Sequence, residues 1–224
     1  MPVEPWRELF RIALKMLAGR NITPDEWTFG GGTALALFLH HRESRDIDIF
    51  LSDAQLLTLL TPRLNKEVAA EVSDYSEGSS FLKLKYPEGE IDFILAPFLT
   101  PHPWTLKDLE GEKVRVETPE EIVVKKLFYR AETVRARDVV DTAAVFQARR
   151  EDLLAAATVL APRLTALQRR WERLQPAFST EVEQLQVRTG GLAEKAPALF
   201  AAFLRAMWEV CSSYRQVNKY VKGQ

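Results

Sequence analysis

Cysteine is almost absent. Cys211 stands alone in 224 residues, so no disulfide can form within the chain, and a secreted disulfide scaffold is excluded. An apolar helical stretch surrounds it, which suits a small core residue in a reducing compartment. Excess charge is missing too. Thirty Lys and Arg residues balance 31 Asp and Glu residues for a formal net charge of −1, which excludes a surface coated in positive charge. A local basic patch for nucleic acid remains compatible with that balance. No apolar run approaches the ~20 residues of a membrane span. The opening residues, with Pro2, Glu4 and Pro5, carry no basic-then-apolar leader, so a cytoplasmic protein is expected. Internal repeats and low-complexity runs are also lacking. What remains is 46% hydrophobic residues in a chain long enough for one large domain, or for a compact domain with a helical extension.

Periodicity places the elements. Leu9, Phe10, Ala13, Leu14 and Leu17 recur at helical spacing between Trp6 and Leu17. Asn21 to Asp25 reads as a turn and Trp27-Thr28-Phe29 as a short strand that runs into Gly30-Gly31-Gly32-Thr33. A helix from Ala34 to Leu39 follows, ending near His40-His41. Residues 47–51 alternate as a strand, and Asp53 is a candidate cap for a helix from Ala54 to Leu64. Phe81 to Tyr86 and Glu90 to Leu95 form two further strands around a turn at Pro87-Glu88-Gly89. A strand at Lys113 to Val116 leads to Thr118-Pro119-Glu120-Glu121, which has the composition of a helix start. Beyond Asp138 the pattern is helical over Asp152 to Arg173, Val182 to Val187 and Ala196 to Val221, with breaks at Pro176 and Gly190-Gly191. The expected class is α+β, with a domain over residues 1–145 and a C-terminal helical domain over 146–224.

The chemistry concentrates in two places. Glycines between a strand and a helix allow close approach of the backbone to a phosphate, and helix N-terminal amides point at the anion. Gly31, Gly32 and the Thr33 hydroxyl are the candidates there. Thirteen residues after Thr33, Asp46 and Asp48 stand at i and i+2 of a strand and so face the same way. Such a pair suits Mg²⁺, or Mn²⁺, a cation that takes few carboxylates and otherwise uses water and substrate phosphates. A lone glycine loop or a lone acidic pair on a solvated strand edge carries little; the two together point to phosphoryl chemistry.

The second place is a charged stripe. With ~100° per residue along a helix, Lys126, Arg130, Arg137 and Asp141 fall within about 60° of one another if the helix is continuous. If it breaks near Thr133 to Ala136, Arg137 and Asp141 form an i,i+4 pair. A solvated helix face is the bland alternative.

The glycine–threonine turn, helix and aspartate–hydrophobic–aspartate pattern resembles the polymerase β-like nucleotidyltransferases. The fuller string from Gly30 to Leu37, with His41-Arg42-Glu43-Ser44-Arg45-Asp46-Ile47-Asp48-Ile49-Phe50, is similar to the AbiEii/AbiGii toxin branch, which includes the mycobacterial MenT toxins. Glu121 to Leu127, Arg130 and Arg137-Asp138-Val-Val-Asp141 match that family's lysine–leucine helix and its arginine–aspartate helix. The resemblance spans Gly30 to Asp141. It implies a mixed sheet with flanking helices, an NTP substrate and Mg²⁺ on Asp46, Asp48 and Asp92. It further implies catalytic roles for Asp46, Asp48, Lys126 and Asp141, and nucleotide contacts from Gly31, Gly32, Thr33, Arg42, Ser44, Lys126, Arg130 and Arg137. An RNA acceptor, in particular the 3′ end of tRNA, and a cognate antitoxin protein are implied as partners. Two other acceptors, a protein hydroxyl and a small molecule, and a non-catalytic binding module stay open.

Other residues have two readings each. Asp92 is either the third acid or an edge-strand acid facing water, and Glu90, of the same parity, is its substitute. Lys83 and Lys85 face either these acids or solvent. Asp141 or Asp138 could orient the acceptor hydroxyl or an arginine. His41 and Arg42 either touch the substrate or cap the preceding helix.

Overall fold

The computed structural model describes residues 4–222, so Pro2, on which the leader expectation turns, lies outside the described residues. The chain folds into two compact units. The first runs to Phe38 and continues through Ser44–Phe98 and His102–Thr118; the second comprises Leu39–Glu43, Leu99–Pro101 and the residues from Pro119 onward. The helices that follow Pro119 thus group with the C-terminal ones, whereas the sequence pattern puts the boundary at 145/146.

The first unit is built on a seven-stranded mixed sheet. Its elements are α1 (Pro5–Gly19), β1 (Trp27–Gly30), α2 (Gly31–Leu39), β2 (Ile47–Leu51), α3 (Gln55–Leu60), α4 (Lys66–Glu71), β3 (Asp74–Gly78), β4 (Phe81–Tyr86), β5 (Gly89–Leu95), β6 (Trp104–Leu109) and β7 (Glu112–Glu117). The spatial order is β3-β4-β5-β2-β1-β7-β6, with β2–β5 and β1–β7 parallel and the other pairs antiparallel. Alternation explains which side is which. Phe29, Ile49, Phe93 and Leu82 stand in one row across four strands, all buried. Helix α1 packs over β2 and β5, and its Phe10 ring lies 4.8 Å from Phe29. Burial of those apolar side chains, at about 25 cal/mol per Å², drives this layer together.

The row offset by one residue faces the opposite way and is polar. Gly30, Asp48, Asp92 and Lys83 are paired in register across β1, β2, β5 and β4. One layer of the sheet therefore builds the core while the other presents chemistry.

The second unit is helical: α5 (Pro119–Tyr129), α6 (Ala136–Ala148), α7 (Arg150–Leu154), α8 (Ala157–Leu160), α9 (Leu164–Leu174), α10 (Phe178–Glu183) and α11 (Leu192–Lys222). Helix α11 lies along α6, with Phe146 and Phe203 edge to face at 5.7 Å, and Trp171 against Phe200 at 5.2 Å. Cys211 is buried, as expected.

Several details differ from the sequence reading. The glycines form no loop: Gly30 ends β1, and Gly31 to Thr33 are already the first turn of α2. Expected helices are shorter or broken, Ala54 to Leu64 into α3 and Asp152 to Arg173 into α7, α8 and α9. Helix α10 stops at Glu183, and Val187 instead bridges Arg42 in antiparallel fashion. Strands β3 and β6 and helix α4 left no clear pattern; β3 is exposed at every position and β6 has no buried position. Among the described residues no helix is long and apolar enough to cross a membrane.

Candidate active site

In the sheet unit, the site grows out of the junction of β1 and α2. Gly31 sits at φ +73°, a conformation costly to any residue with a Cβ, and it packs against Asp48. A Cβ built on Gly31 would lie 2.6 Å from the Asp48 Cβ, with the carboxylate atoms nearer still. The glycine is therefore a seat for the Asp48 carboxylate at the start of α2, where the helix dipole favours negative charge. Thr33 is 1% exposed and its hydroxyl donates to the Asp46 carbonyl at 2.6 Å. It thus ties α2 to the entry of β2. Asp46 Oδ1 accepts from the Glu90 amide at 3.2 Å. Gly32 is buried, and Ser44 is half-buried.

Asp92 lies beside Asp48 in the parallel β2–β5 pair. Burial first, and the Asp48 charge second, push its pKa up to about 6, although Lys83 pulls it down. Lys83 Nζ lies 3.0 Å from Asp92 Oδ2 and is also paired with Glu90 Oε2. Asp92 Oδ1 is buried with no hydrogen-bond partner. Two adjacent carboxylates, one raised by the other and with a lone buried oxygen, have the electrostatics of a cation site. Among the described residues no three His, Cys, Asp or Glu side chains converge into a ready-made metal cage. Mg²⁺ needs no such cage, since one or two carboxylates, with waters and substrate phosphates, suffice.

Glu117 escaped sequence reasoning. It is 0% exposed at the end of β7, accepts the Thr28 hydroxyl at 3.0 Å, and would stand 2.5 Å from a Cβ on Gly30. The expected strand stops one residue short of it, and strand pairing was needed to bring it beside Gly30.

In the helical unit, Asp141 is the hub. It is 0% exposed on α6. Its Oδ1 accepts from His41 Nε2 and Arg42 Nε, each at 2.7 Å; its Oδ2 accepts from Arg42 Nη2 at 3.0 Å and from Lys126. Burial alone would push Asp141 up. Lys126 and Arg42 beside it, with hydrogen bonds from His41 and Arg42, hold it well below the usual carboxylate range. Four donors meet this carboxylate, so in the structure it organises cations. His41 Nδ1 is buried without a hydrogen-bond partner.

The charged stripe is cut, because α5 ends at Tyr129 and α6 begins at Ala136. Asp141 pairs with Lys126 and Arg42, not with Arg137, which among the described residues has no ion-pair partner. Arg130 pairs with Asp138 at 3.5 Å. Asp138 Oδ2 accepts the Arg135 amide at 3.1 Å, the task of a helix N-terminal cap. Lys125 lies 3.5 Å from Glu121, which also holds the Leu99 and Thr100 amides.

A family model describing the nucleotidyl transferase AbiEii toxin of type IV toxin–antitoxin systems matches residues 14–210. The chain belongs to the AbiEii nucleotidyltransferase toxin family. It is accordingly an enzyme of the nucleotidyltransferase class. No curated protein matches it. Among solved structures, the antibiotic-resistance factor ANT(2″)-Ia is similar in a solution structure, at 17% identity and TM-score 0.52 over 75% of this chain and 97% of that one. ANT(2″)-Ia in complex with adenylyl-2″-tobramycin is similar at 16% and 0.50, over 70% and 97%. MenT4, a nucleotidyltransferase toxin from Mycobacterium tuberculosis H37Rv, is similar at 17% and 0.49, over 89% and 84%. The ANT(2″)-Ia likeness speaks to the fold, which is the mixed sheet with flanking helices expected of an AbiEii chain.

Proposed function

We propose that this AbiEii chain transfers a nucleoside monophosphate from an NTP to an RNA acceptor, the 3′ end of tRNA, with Mg²⁺ or Mn²⁺. In the proposed step the acceptor hydroxyl oxygen bonds to the α-phosphorus and its proton is released to water. The bond to the bridging oxygen breaks and pyrophosphate leaves. The observation that carries the reading is the register of Asp48 beside Asp92, with Gly31 clearing the space for Asp48. Asp48 and Asp92, with Asp46 just before β2, are the residues that would hold the metal. When bound, the metal supplies Lewis-acid polarisation of the phosphate and charge neutralisation.

The helical unit carries its own anion-binding chemistry. Lys126 and Arg42 converge on the Asp141 carboxylate, and Lys126 and Arg137 are cations of the kind that bind a triphosphate. Asp141 acts here as a positioning residue for Arg42 and Lys126. Support for RNA comes from the family's toxin character and its resemblance to the MenT branch. Arg130, Arg135, Arg137, Arg149 and Arg150 are the candidate cluster for RNA; of these Arg130 is paired with Asp138, Arg149 is tied to Glu120 and Asp152, and Arg150 lies over Phe146. Arg135 and Arg137 are the better candidates. Binding through them would weaken as salt is added.

A small-molecule acceptor is the second reading, supported by the fold shared with ANT(2″)-Ia. A cognate antitoxin is the partner that a toxin family implies. The test is expression without neighbouring genes, comparing wild type with Asp46→Ala/Asp48→Ala for growth arrest and for label on tRNA 3′ ends. Arrest and labelled tRNA are expected only in wild type. Label on a small molecule, with unimpaired growth, would move the acceptor to the second reading.

A further inference from the structure

We propose that Lys83 is a built-in counter-cation of Asp92, which competes with a divalent ion for that carboxylate and weakens the site's hold on the ion. The inference rests on the metal-dependent reading above. Register puts Lys83 directly opposite Asp92 in the β4–β5 pair, on the face that also carries Asp48. Its ammonium sits 3.0 Å from Asp92 Oδ2, so half of that carboxylate is already occupied by a positive charge. The other oxygen, Oδ1, is buried and has no hydrogen-bond partner. Asp92 is thus only half satisfied.

Lys83 also has somewhere to go. Glu90 stands two residues before Asp92 on the same face of β5 and already pairs with Lys83. The lysine side chain is 31% exposed, on a flexible four-carbon stem, so it can give up Asp92 and keep Glu90. The next cation on that face, Lys85, is committed to Asp74 at 2.7 Å and does not share the task. A unit charge at this distance opposes the arrival of a divalent ion by simple Coulomb repulsion. The consequence is an enzyme that holds its metal weakly alone and firmly once nucleotide phosphates supply further ligands.

The experiment is Mn²⁺ titration of the full chain at pH 8 without nucleotide, following free Mn²⁺ by electron paramagnetic resonance. Lys83→Met should bind Mn²⁺ about tenfold tighter than wild type or better, and Lys83→Arg should match wild type. In an Asp92→Asn background the gain from Lys83→Met should vanish. A folded Lys83→Met protein that binds no tighter than wild type, or a gain that survives Asp92→Asn, would overturn the proposal. Lys83→Gln carries the same test if Lys83→Met does not fold. Asp48→Asn separates the two levels. If it leaves Mn²⁺ binding unchanged, the metal reading itself fails. If it abolishes binding while Lys83→Met changes nothing, only the role of Lys83 fails.

Discussion

Replacing Gly31 with alanine should damage the enzyme in two separable ways. The first is backbone strain. At φ +73° an alanine pays about 1–2 kcal/mol that glycine does not. For a chain of this size each kcal/mol lowers Tm by roughly 2–4 °C, so strain alone predicts a fall of about 2–8 °C. The second is displacement. The new methyl would stand 2.6 Å from the Asp48 Cβ and overlap its carboxylate, which must then move by about 1 Å or more. A misplacement of that size costs transfer on the order of 100-fold. Gly111 supplies the control, for it too has positive φ, at +87°, yet nothing lies within 4 Å of its would-be Cβ. Gly111→Ala should lower Tm comparably and leave transfer intact. The assay is thermal denaturation by circular dichroism alongside transfer from α-labelled NTP. Gly31→Ala with near-wild-type transfer would refute the reading of Gly31 as the seat of Asp48.

Asp141→Ala should destabilise the helical unit by about 3–5 kcal/mol, because the largely buried Arg42 and Lys126 would both lose the carboxylate they share. Chemical denaturation showing a loss below about 1 kcal/mol would contradict the hub assignment. Asp92 should make the metal-free protein pH-sensitive in a defined sense. Its folded pKa of about 6 exceeds the ordinary 3.8, so its contribution to stability is full below about pH 4 and is lost as pH rises through 6. Asp92→Asn should therefore raise stability by about 1–2 kcal/mol at pH 8 in chelator, and by little at pH 4. Equal effects at both pH values would show that the carboxylate is not ionised against its surroundings. Lys126→Ala should weaken nucleotide binding with a smaller fall in Tm, because Asp141 keeps Arg42 and His41, whereas Lys125→Ala, which removes a buried partner of Glu121, should lower Tm chiefly. Titration with a fluorescent NTP would separate them, and indistinguishable profiles would mean that the helix face is misread.

How much of this was legible in the sequence depends on the range of each interaction. Helix α1 and strands β2, β4 and β5 came through because one face of each is buried, which stamps a period on the residues. Strand β3 carries no such stamp, being exposed throughout. Asp46 and Asp48 were visible through local spacing and family resemblance. The partnership of Asp92 with Asp48 was left open, since it depends on a parallel pairing between strands forty residues apart in sequence, roughly. Lys83 was undecided because the hairpin puts it opposite Asp92 without telling whether that face is the site or open to solvent. The Arg137–Asp141 pair was plausible from i,i+4 spacing, but Asp141 is claimed by residues about a hundred positions earlier, Arg42 among them. Local spacing cannot register such a competitor. Glu117 had no local signal at all.

The central claim is that Asp48 serves metal-dependent nucleotide transfer from its seat on Gly31. The most direct measurement follows label from each α-labelled NTP into total RNA, with Mg²⁺ and with chelator, for wild type and Asp48→Ala. Wild type should incorporate label with Mg²⁺ only, and Asp48→Ala of unchanged fold should lose several kcal/mol of transition-state stabilisation, roughly 1,000-fold or more. An Asp48→Ala protein that transfers label as well as wild type, or transfer indifferent to chelator, would contradict the claim.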